Sequence, residues 1–378
     1  MTIGYVNPEY GAMRNIVNKC PDVDYVRVRS FKSLKEKVCA KIGLKCSNIG
    51  YVYYGGVPER LTKIDLIHFW NNVAVWPCCK PYITTFEDTV PRKLPKSIFN
   101  AGIESLLSSR CRRLIAFSER CRRQQVNFNR IHGIGELDSK ITVLLPPQDV
   151  LVAPDVVESR KKHSGGAVRF IFIGQDFFRK GGGEIVRALV KVRRDFQVEA
   201  YLIGDYSHVD YASSWEVDSA DEMRRLCEEN CEWLHHFNSM PNSCVMELAK
   251  TCHVGLLPTR DDTFGYSVLE FQGCGLPCIT TDSCSLPEVN NDRIGWMIVV
   301  PKTDKSVNRA EFSDVEKMRE LSRQIEKGLY EKMVEIVTSP DAVVSKGLLA
   351  LNHIVTSHSP IRFGERLKKL YAEAMNVC

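Results

Sequence analysis

The chain has 378 residues, 44% apolar and 26% charged, with a formal net charge of +5. That length points to two domains with a core each, and that composition to an ordinary soluble globular protein. No apolar run approaches the roughly 20 residues that span a bilayer, and the N-terminus lacks the long apolar segment of a secretion signal, so a cytoplasmic chain is expected.

The charge is uneven. Residues 1–160 carry 24 Lys and Arg against 15 Asp and Glu, and residues 161–378 carry 27 against 31. A basic first half suggests an anionic partner, such as a phospholipid surface or a lipid diphosphate, or less readily nucleic acid. The 15 cysteines are odd in number and show no tight metal spacing. Free thiols in a reducing compartment are expected, with Cys227/Cys231 and Cys274/Cys278 on helices and Cys78/Cys79 adjacent.

Short β-rich runs alternate with helical stretches, the pattern of parallel sheets built from βαβ units. Strands are expected at Ile3 to Val6, Tyr25 to Val28, Gly50 to Tyr54, Leu66 to Phe69, Tyr82 to Phe86, Leu114 to Phe117 and Ile141 to Leu145. A helix should follow from about Ala12 and another run from Ile98 to Ser109, while Ser118 can cap a helix starting at Glu119. A polar linker is expected from Pro146 to Gly166. The second half opens with the strand Val168 to Ile173. Next come the helix Glu184 to Arg193, the strand Glu199 to Ile203, the helix Asn242 to Thr251 and the strand Val254 to Leu257. Ile294 to Val300 closes the apolar pattern, and the remainder is helical from about Asp314.

The stretch Leu256 to Pro277 carries the strongest chemical signal. An apolar strand ends at Pro258, and a loop with Asp261 and Asp262 follows. Thr263, Phe264 and Gly265 then open a helix that carries Glu270. A small-residue turn at a helix start binds anions through unpaired N–H groups and the helix dipole. Glu270 lies four residues after Tyr266, on the same face as the first turn. A carboxylate there can accept from two adjacent hydroxyls, as a ribose presents them. A second anion-binding turn is expected at Phe170 to Gly183, where a buried strand precedes Gly174 and Lys180 stands before three glycines.

At these residues the chain resembles the retaining glycosyltransferases of family 4, which have the two-domain GT-B fold. Asp262, Phe264, Gly265 and Glu270 fill the places of that family's acid, Phe-Gly and second acid. Gly275-Leu276-Pro277 and Leu286-Pro287-Glu288-Val289 match its later segments. Lys180-Gly181 matches its Lys-Gly. Four positions depart: Asp262 stands where Glu is usual, Cys284-Ser285 replace Gly-Gly, and Gln175 replaces an arginine that Arg179 could stand in for.

The resemblance implies an α/β fold of two Rossmann-like domains with parallel sheets facing across a cleft. Residues 1–155 would form the acceptor-side domain and 165–355 the donor-binding domain, with a last helix, about Ile361 to Met375 within 358–378, crossing back to the first. It implies a nucleotide-sugar donor and a glycan or lipid-linked acceptor, with no cofactor and no metal. Gly174, Gln175, Arg179, Lys180, Gly181, Phe264, Gly265, Tyr266, Ser267 and Glu270 would hold the donor. Lys180 would stabilise the leaving diphosphate, and Asp262 would lie near the sugar. Glu87-Asp88 take the place of a His-Asp pair, and Glu87 would contact donor sugar or acceptor.

His68, inside an apolar strand, reads as a core histidine. Arg110, Arg112, Arg113, Arg120, Arg122 and Arg123, with Lys93 and Lys96 upstream, would suit peripheral contact with an anionic membrane, or simply a solvated face. Two alternatives remain beside transfer: a nucleotide-sugar epimerase or hydrolase on the same fold, and an inactive subunit that binds nucleotide sugar.

Overall fold

The computed structural model describes residues 1–5, 17, 19–28, 63–74, 80–92, 94, 96–160, 166–302 and 310–376. The helix expected from Ala12, the strand at Gly50 to Tyr54, the Cys78/Cys79 pair, Lys93 and positions 161–165 of the expected linker lie outside these residues. The chain divides into two compact units, Met1–Pro147 with His358–Cys378, and Gln148–Ser357.

The first unit contains β1 (Thr2–Tyr5), β2 (Asp24–Arg27), β3 (Leu66–Trp70), β4 (Tyr82–Phe86), α1 (Lys96–Leu107), β5 (Cys111–Ala116), α2 (Glu119–Ile131) and β6 (Ile141–Val143). Its sheet runs β2-β1-β3-β4-β5-β6, and its described pairings are parallel. β3 and β4 are buried along their whole length, which explains why their sequences read as continuous runs and not as alternations. Ser118 caps α2, its Oγ accepting from the Cys121 N–H at 3.0 Å.

The C-terminal helix, Pro360–Asn376, belongs to this unit and packs on β3 and β5. Its Tyr371 is buried, and the hydroxyl lies 2.9 Å from His68 Nδ1. The other ring nitrogen of His68, Nε2, lies 2.6 Å from Thr85 Oγ1. Burial lowers the His68 pKa to about 3, so the imidazole is neutral at physiological pH. His68 is thus a hydrogen-bonded core residue that ties the last helix to β3.

The second unit continues with α3 (Pro154–Ser159), β7 (Val168–Asp176), α4 (Gly182–Arg193), β8 (Val198–Asp205), α5 (Ala220–Glu229), β9 (Leu234–Phe237), α6 (Asn242–Thr251), β10 (Val254–Leu257), α7 (Tyr266–Gly273), β11 (Cys278–Thr281), α8 (Leu286–Val289), β12 (Trp296–Ile298), α9 (Val315–Thr338) and α10 (Pro340–Ser357). Its sheet runs β12-β11-β10-β7-β8-β9, again with parallel pairings. Phe170, Phe172, Ile185, Leu189, Leu256, Ile325 and Leu329 lie in one core between this sheet and α4 and α9.

Three expectations differ from what the structure shows. The stretch from Pro146 to Gly166 is not all linker: it contains α3, and Arg160 beyond it donates to Gly275 O and Cys274 O, each at 2.8 Å, which anchors it to the second unit. The sequence reading placed no strand at β9, whose four residues include His235 and His236, polar side chains that mask an edge strand. Of the cysteines expected on helices, Cys231 lies beyond α5, Cys274 caps α7 and Cys278 begins β11.

Candidate functional site

Strand order points to the site. β7 lies between β8 and β10, so the chain reverses direction across the sheet at the β7–β10 pair. In open parallel α/β sheets, ligands bind at the carboxyl ends of the strands where this reversal opens a crevice. β7 and β10 are hydrogen-bonded neighbours, with Phe170 opposite Val254 and Phe172 opposite Leu256.

Each of these strands runs through a short turn into a helix opened by a left-handed glycine. Gly181 precedes α4 with φ +86°, Gly265 precedes α7 with φ +90°, and neither helix start has a side-chain cap. Only glycine suits these positions. A Cβ at Gly181 would lie 2.4 Å from Pro258 O, and one at Gly265 would lie 2.5 Å from Leu286 Cδ2. The Lys180 turn is therefore in backbone contact with the loop that leaves β10. Two helix starts bring their N–H groups to the same crevice, which suits an anion.

Lys180 and Asp262 form an ion pair through Nζ and Oδ2, with side chains 18% and 10% exposed. The Lys180 stem lies against Gly174, where a Cβ would come within 2.9 Å of Lys180 Cβ. Arg179 turns away into a separate cluster. Its Nε donates to Asp210 Oδ2 at 2.5 Å, its Nη1 to Asp261 O at 2.8 Å and its Nη2 to Asp176. Its guanidinium also sits 5.5 Å from the Tyr211 ring centre. Burial opposes the charged form, but Tyr211, Asp176 and Asp210 outweigh it and raise the Arg179 pKa. Gln175, where the resembled family has arginine, is exposed.

Arg260 holds the loop from beneath. It is fully buried, with Nη2 2.6 Å from Glu184 Oε1 and 2.7 Å from Asp218 Oδ1, and Nη1 2.8 Å from Asp218 Oδ2. Burial disfavours its charge, but Glu184 and Asp218 more than offset that and raise its pKa. Its backbone N–H donates to Arg179 O at 2.9 Å, and Thr259 Oγ1 donates to the same oxygen at 3.0 Å. One guanidinium thus joins α4, the motif loop and the 206–219 connection.

The remaining predicted donor-side residues lie on or beside α7. Phe264 is buried, while Tyr266, Ser267 and Glu270 are half-buried. Asn242, the first residue of α6, donates its Nδ2 to Glu270 Oε1 at 3.2 Å. Cys284, in place of the usual glycine, keeps the left-handed backbone with φ +57°, and its Sγ donates to Asp261 Oδ1 at 2.6 Å. Ser285 Oγ donates to Thr263 O at 2.8 Å. The substituted pair therefore still braces the motif loop.

Glu87 is at the carboxyl end of β4 in the first unit and 4% exposed. It accepts from Asn71 Nδ2 at 3.4 Å and Arg92 Nη1 at 3.3 Å. The arginine run does not form one exposed face: Arg120 is buried, and Arg113 pairs with Glu373 at 3.6 Å. Among the described residues no helix is long and apolar enough to cross a membrane, and no His, Cys, Asp or Glu group has metal-holding geometry.

The second unit therefore brings Gly174, Lys180, Gly181 and Asp262 together in one crevice edge, with Phe264, Gly265 and Glu270 on the adjoining loop and helix. Arg260, Asp210, Tyr211 and Asn242 were not singled out from sequence. Arg260 was visible as a cation wedged into a Thr-Arg-Asp-Asp string after an apolar strand, but nothing local named its partners.

No curated protein matches the sequence significantly. Among solved structures, a glycosyltransferase from Rickettsia africae ESF-5 aligns over 100% of this chain and 99% of that chain, with TM-score 0.61 and 14% identity. Anabaena HepE in complex with UDP aligns over 98% and 100%, with TM-score 0.61 and 13% identity. Sucrose-phosphate synthase from Thermosynechococcus elongatus aligns over 99% and 98%, with TM-score 0.58 and 11% identity. Residues 157–332, which contain the crevice, match the family model of glycosyl transferases group 1. The fold, two parallel α/β sheets in two units, is that of the GT-B glycosyltransferases.

Proposed function

We propose that this chain is a retaining glycosyltransferase of family 4 that moves a sugar from a nucleoside-diphosphate sugar to a glycan or lipid-linked acceptor. The observation that carries this reading is the crevice at β7 and β10. There Lys180 and Asp262 form an ion pair beside two uncapped helix starts, and the second of these helices carries Glu270. HepE has been solved with UDP-glucose, which supports a UDP-sugar as first candidate donor.

In this reading Glu270, steadied by Asn242, accepts from the ribose hydroxyls. Lys180 and the N–H groups of Tyr266 and Ser267 take the diphosphate, and Asp262 reaches the sugar. Stabilising the charge that develops on the leaving diphosphate needs no metal in this scheme. Arg179 keeps its protein partners and shapes the loop. Glu87, in the first unit, is assigned to the acceptor. The acceptor attacks on the face the diphosphate leaves, which retains configuration.

A thermal-shift panel of UDP-, GDP- and ADP-sugars tests the donor, because a ligand that binds only the native state raises its stability. Glu270→Ala removes hydrogen bonds to a charged group and should lower kcat/KM for the donor about 10- to 100-fold. Unchanged turnover by that variant would remove the ribose assignment. A second reading, a subunit that binds the donor without transfer, is favoured by the exposed Gln175 and the committed Arg179. Donor binding by calorimetry, with no turnover on any acceptor, would select it.

A further inference from the structure

The segment that leaves β11 grips the loop that leaves β10 at alternate residues. Thr281 Oγ1 donates to Thr259 O at 2.6 Å, Cys284 Sγ to Asp261 Oδ1 at 2.6 Å and Ser285 Oγ to Thr263 O at 2.8 Å. Asp261 is 1% exposed, and its Oδ2 accepts from Tyr211 Oη at 2.7 Å. The residues in between have partners elsewhere: Arg260 in Glu184 and Asp218, and Asp262 in the Lys180 ammonium. Both chain neighbours of Asp262 are thus pinned, residue 261 by Cys284 and residue 263 by Ser285.

Cys284 is a costly residue for this backbone. Among the described residues three non-glycines have positive φ: Asp22, Asn71 and Cys284. Asp and Asn tolerate the left-handed region because their short polar side chains bond locally, and cysteine has no such ease. A strained residue persists where its surroundings over-determine it, and such residues gather at ligand clamps. Here the strain accompanies a contact that glycine could not make, the thiol bond to Asp261. Cys284 and Ser285 are both buried, so water does not compete for either bond.

Resting on the donor reading above, we propose that Cys284 and Ser285 are positioning residues for the sugar end of the donor site. They act through Asp261 and Thr263 on Asp262, the residue that this reading assigns to the sugar. Fixing the chain on both sides of Asp262 fixes where its carboxylate lies, and small misplacements of such a group are costly. A carboxylate held in one place selects the hydroxyl arrangement that it can accept from. The nucleotide end has supports of its own: Glu270 is held by Asn242, and the Lys180 turn by the approach of Gly181 to Pro258. The pair therefore governs the sugar and not the nucleotide.

The test is calorimetry on the full chain, comparing a nucleoside diphosphate with its sugar conjugate as the thermal-shift panel selects them, UDP with UDP-glucose first. Cys284→Gly removes the bond to Asp261 and relieves the backbone of residue 284. It should weaken UDP-glucose about 3- to 10-fold, the worth of one net hydrogen bond, and leave UDP within about twofold of the parent. Cys284→Ser keeps a donor toward Asp261 and should restore the parent ratio of the two affinities. In an Asp262→Ala background, Cys284→Gly should add no further loss, because the residue it acts through is gone. Ser285→Ala removes the bond to Thr263 O and should shift the ratio in the same direction as Cys284→Gly.

Equal losses for UDP and UDP-glucose, or no loss for either, overturn the proposal while leaving the donor site in place. A further loss in the Asp262→Ala background also overturns it, since the pair would then act without Asp262. So does a Cys284→Ser chain as weak as Cys284→Gly, which would trace the effect to packing and not to the bond. Should Cys284→Gly fail to fold, Ser285→Ala decides by the same ratio. If no nucleotide sugar stabilises the parent chain, the donor reading fails and this inference falls with it.

Discussion

Both units bury polar side chains against a parallel sheet, but in different ways. In the first unit the network under the last helix is neutral: His68, Thr85 and Tyr371 share hydrogen bonds at 2.6 and 2.9 Å, and the imidazole stays uncharged. The second uses ions: Arg260, Glu184 and Asp218 meet with no solvent exposure. The neutral network closes a domain by fastening its last helix. The ionic one fixes three loops whose outer ends carry Lys180, Asp210 and Asp262. A buried charged fork costs more to desolvate, and it specifies geometry in return, since a planar guanidinium accepts only a narrow arrangement of carboxylates.

The ionic network should be the easier to break. Arg260→Met strands two buried carboxylates and should destabilise the second unit by about 3–5 kcal/mol, read from its denaturant midpoint. Replacing Arg260, Glu184 and Asp218 together with apolar residues of similar volume should recover most of that stability. Donor affinity should not recover, because Lys180 and Asp262 lose their common support. Equal recovery of both would show that the ions serve stability alone.

The neutral network should respond to acid. Between its folded pKa of about 3 and the ordinary value of 6.5, the unfolded chain binds a proton that the folded unit refuses. The resulting stability is complete above pH 6.5 and declines as pH falls toward 3. The slope should be about 1.4 kcal/mol per pH unit in that window. His68→Gln should flatten this slope in urea titrations run between pH 4 and 6, and an unchanged slope would assign the acid sensitivity to other groups. The smallest effect belongs to a purely local contact. Ser118→Ala deletes the α2 cap and should lower first-unit stability by about 1 kcal/mol by the same titration, without a change in its pH slope.

These networks also mark where sequence reading stops. The strands β4 and β10 and the helix α6 could be read to the residue because their signals are local: apolar runs bounded by proline, glycine or a cap. The Lys180 turn and the Gly265 helix start were legible for the same reason. Arg260 was not, because its acids lie 76 and 42 residues away and no periodicity links them. The backbone of Cys284 was equally hidden, since nothing in a cysteine announces a φ of +57°. The ion pair of Lys180 with Asp262 joins two legible motifs, yet it takes the approach of Gly181 to Pro258 and the Arg260 N–H bond to Arg179 O to show that they meet.

The return of the C-terminal helix to the first unit has a consequence for biogenesis. Tyr25 and Tyr371, whose hydroxyls lie 3.4 Å apart, are separated by 346 positions in the chain. A ribosome therefore finishes the contiguous second unit before the first can acquire its last helix, although the first begins to emerge earlier. During that interval β3 and β5 lack the cover that this helix provides, and their apolar surface is open to non-native association.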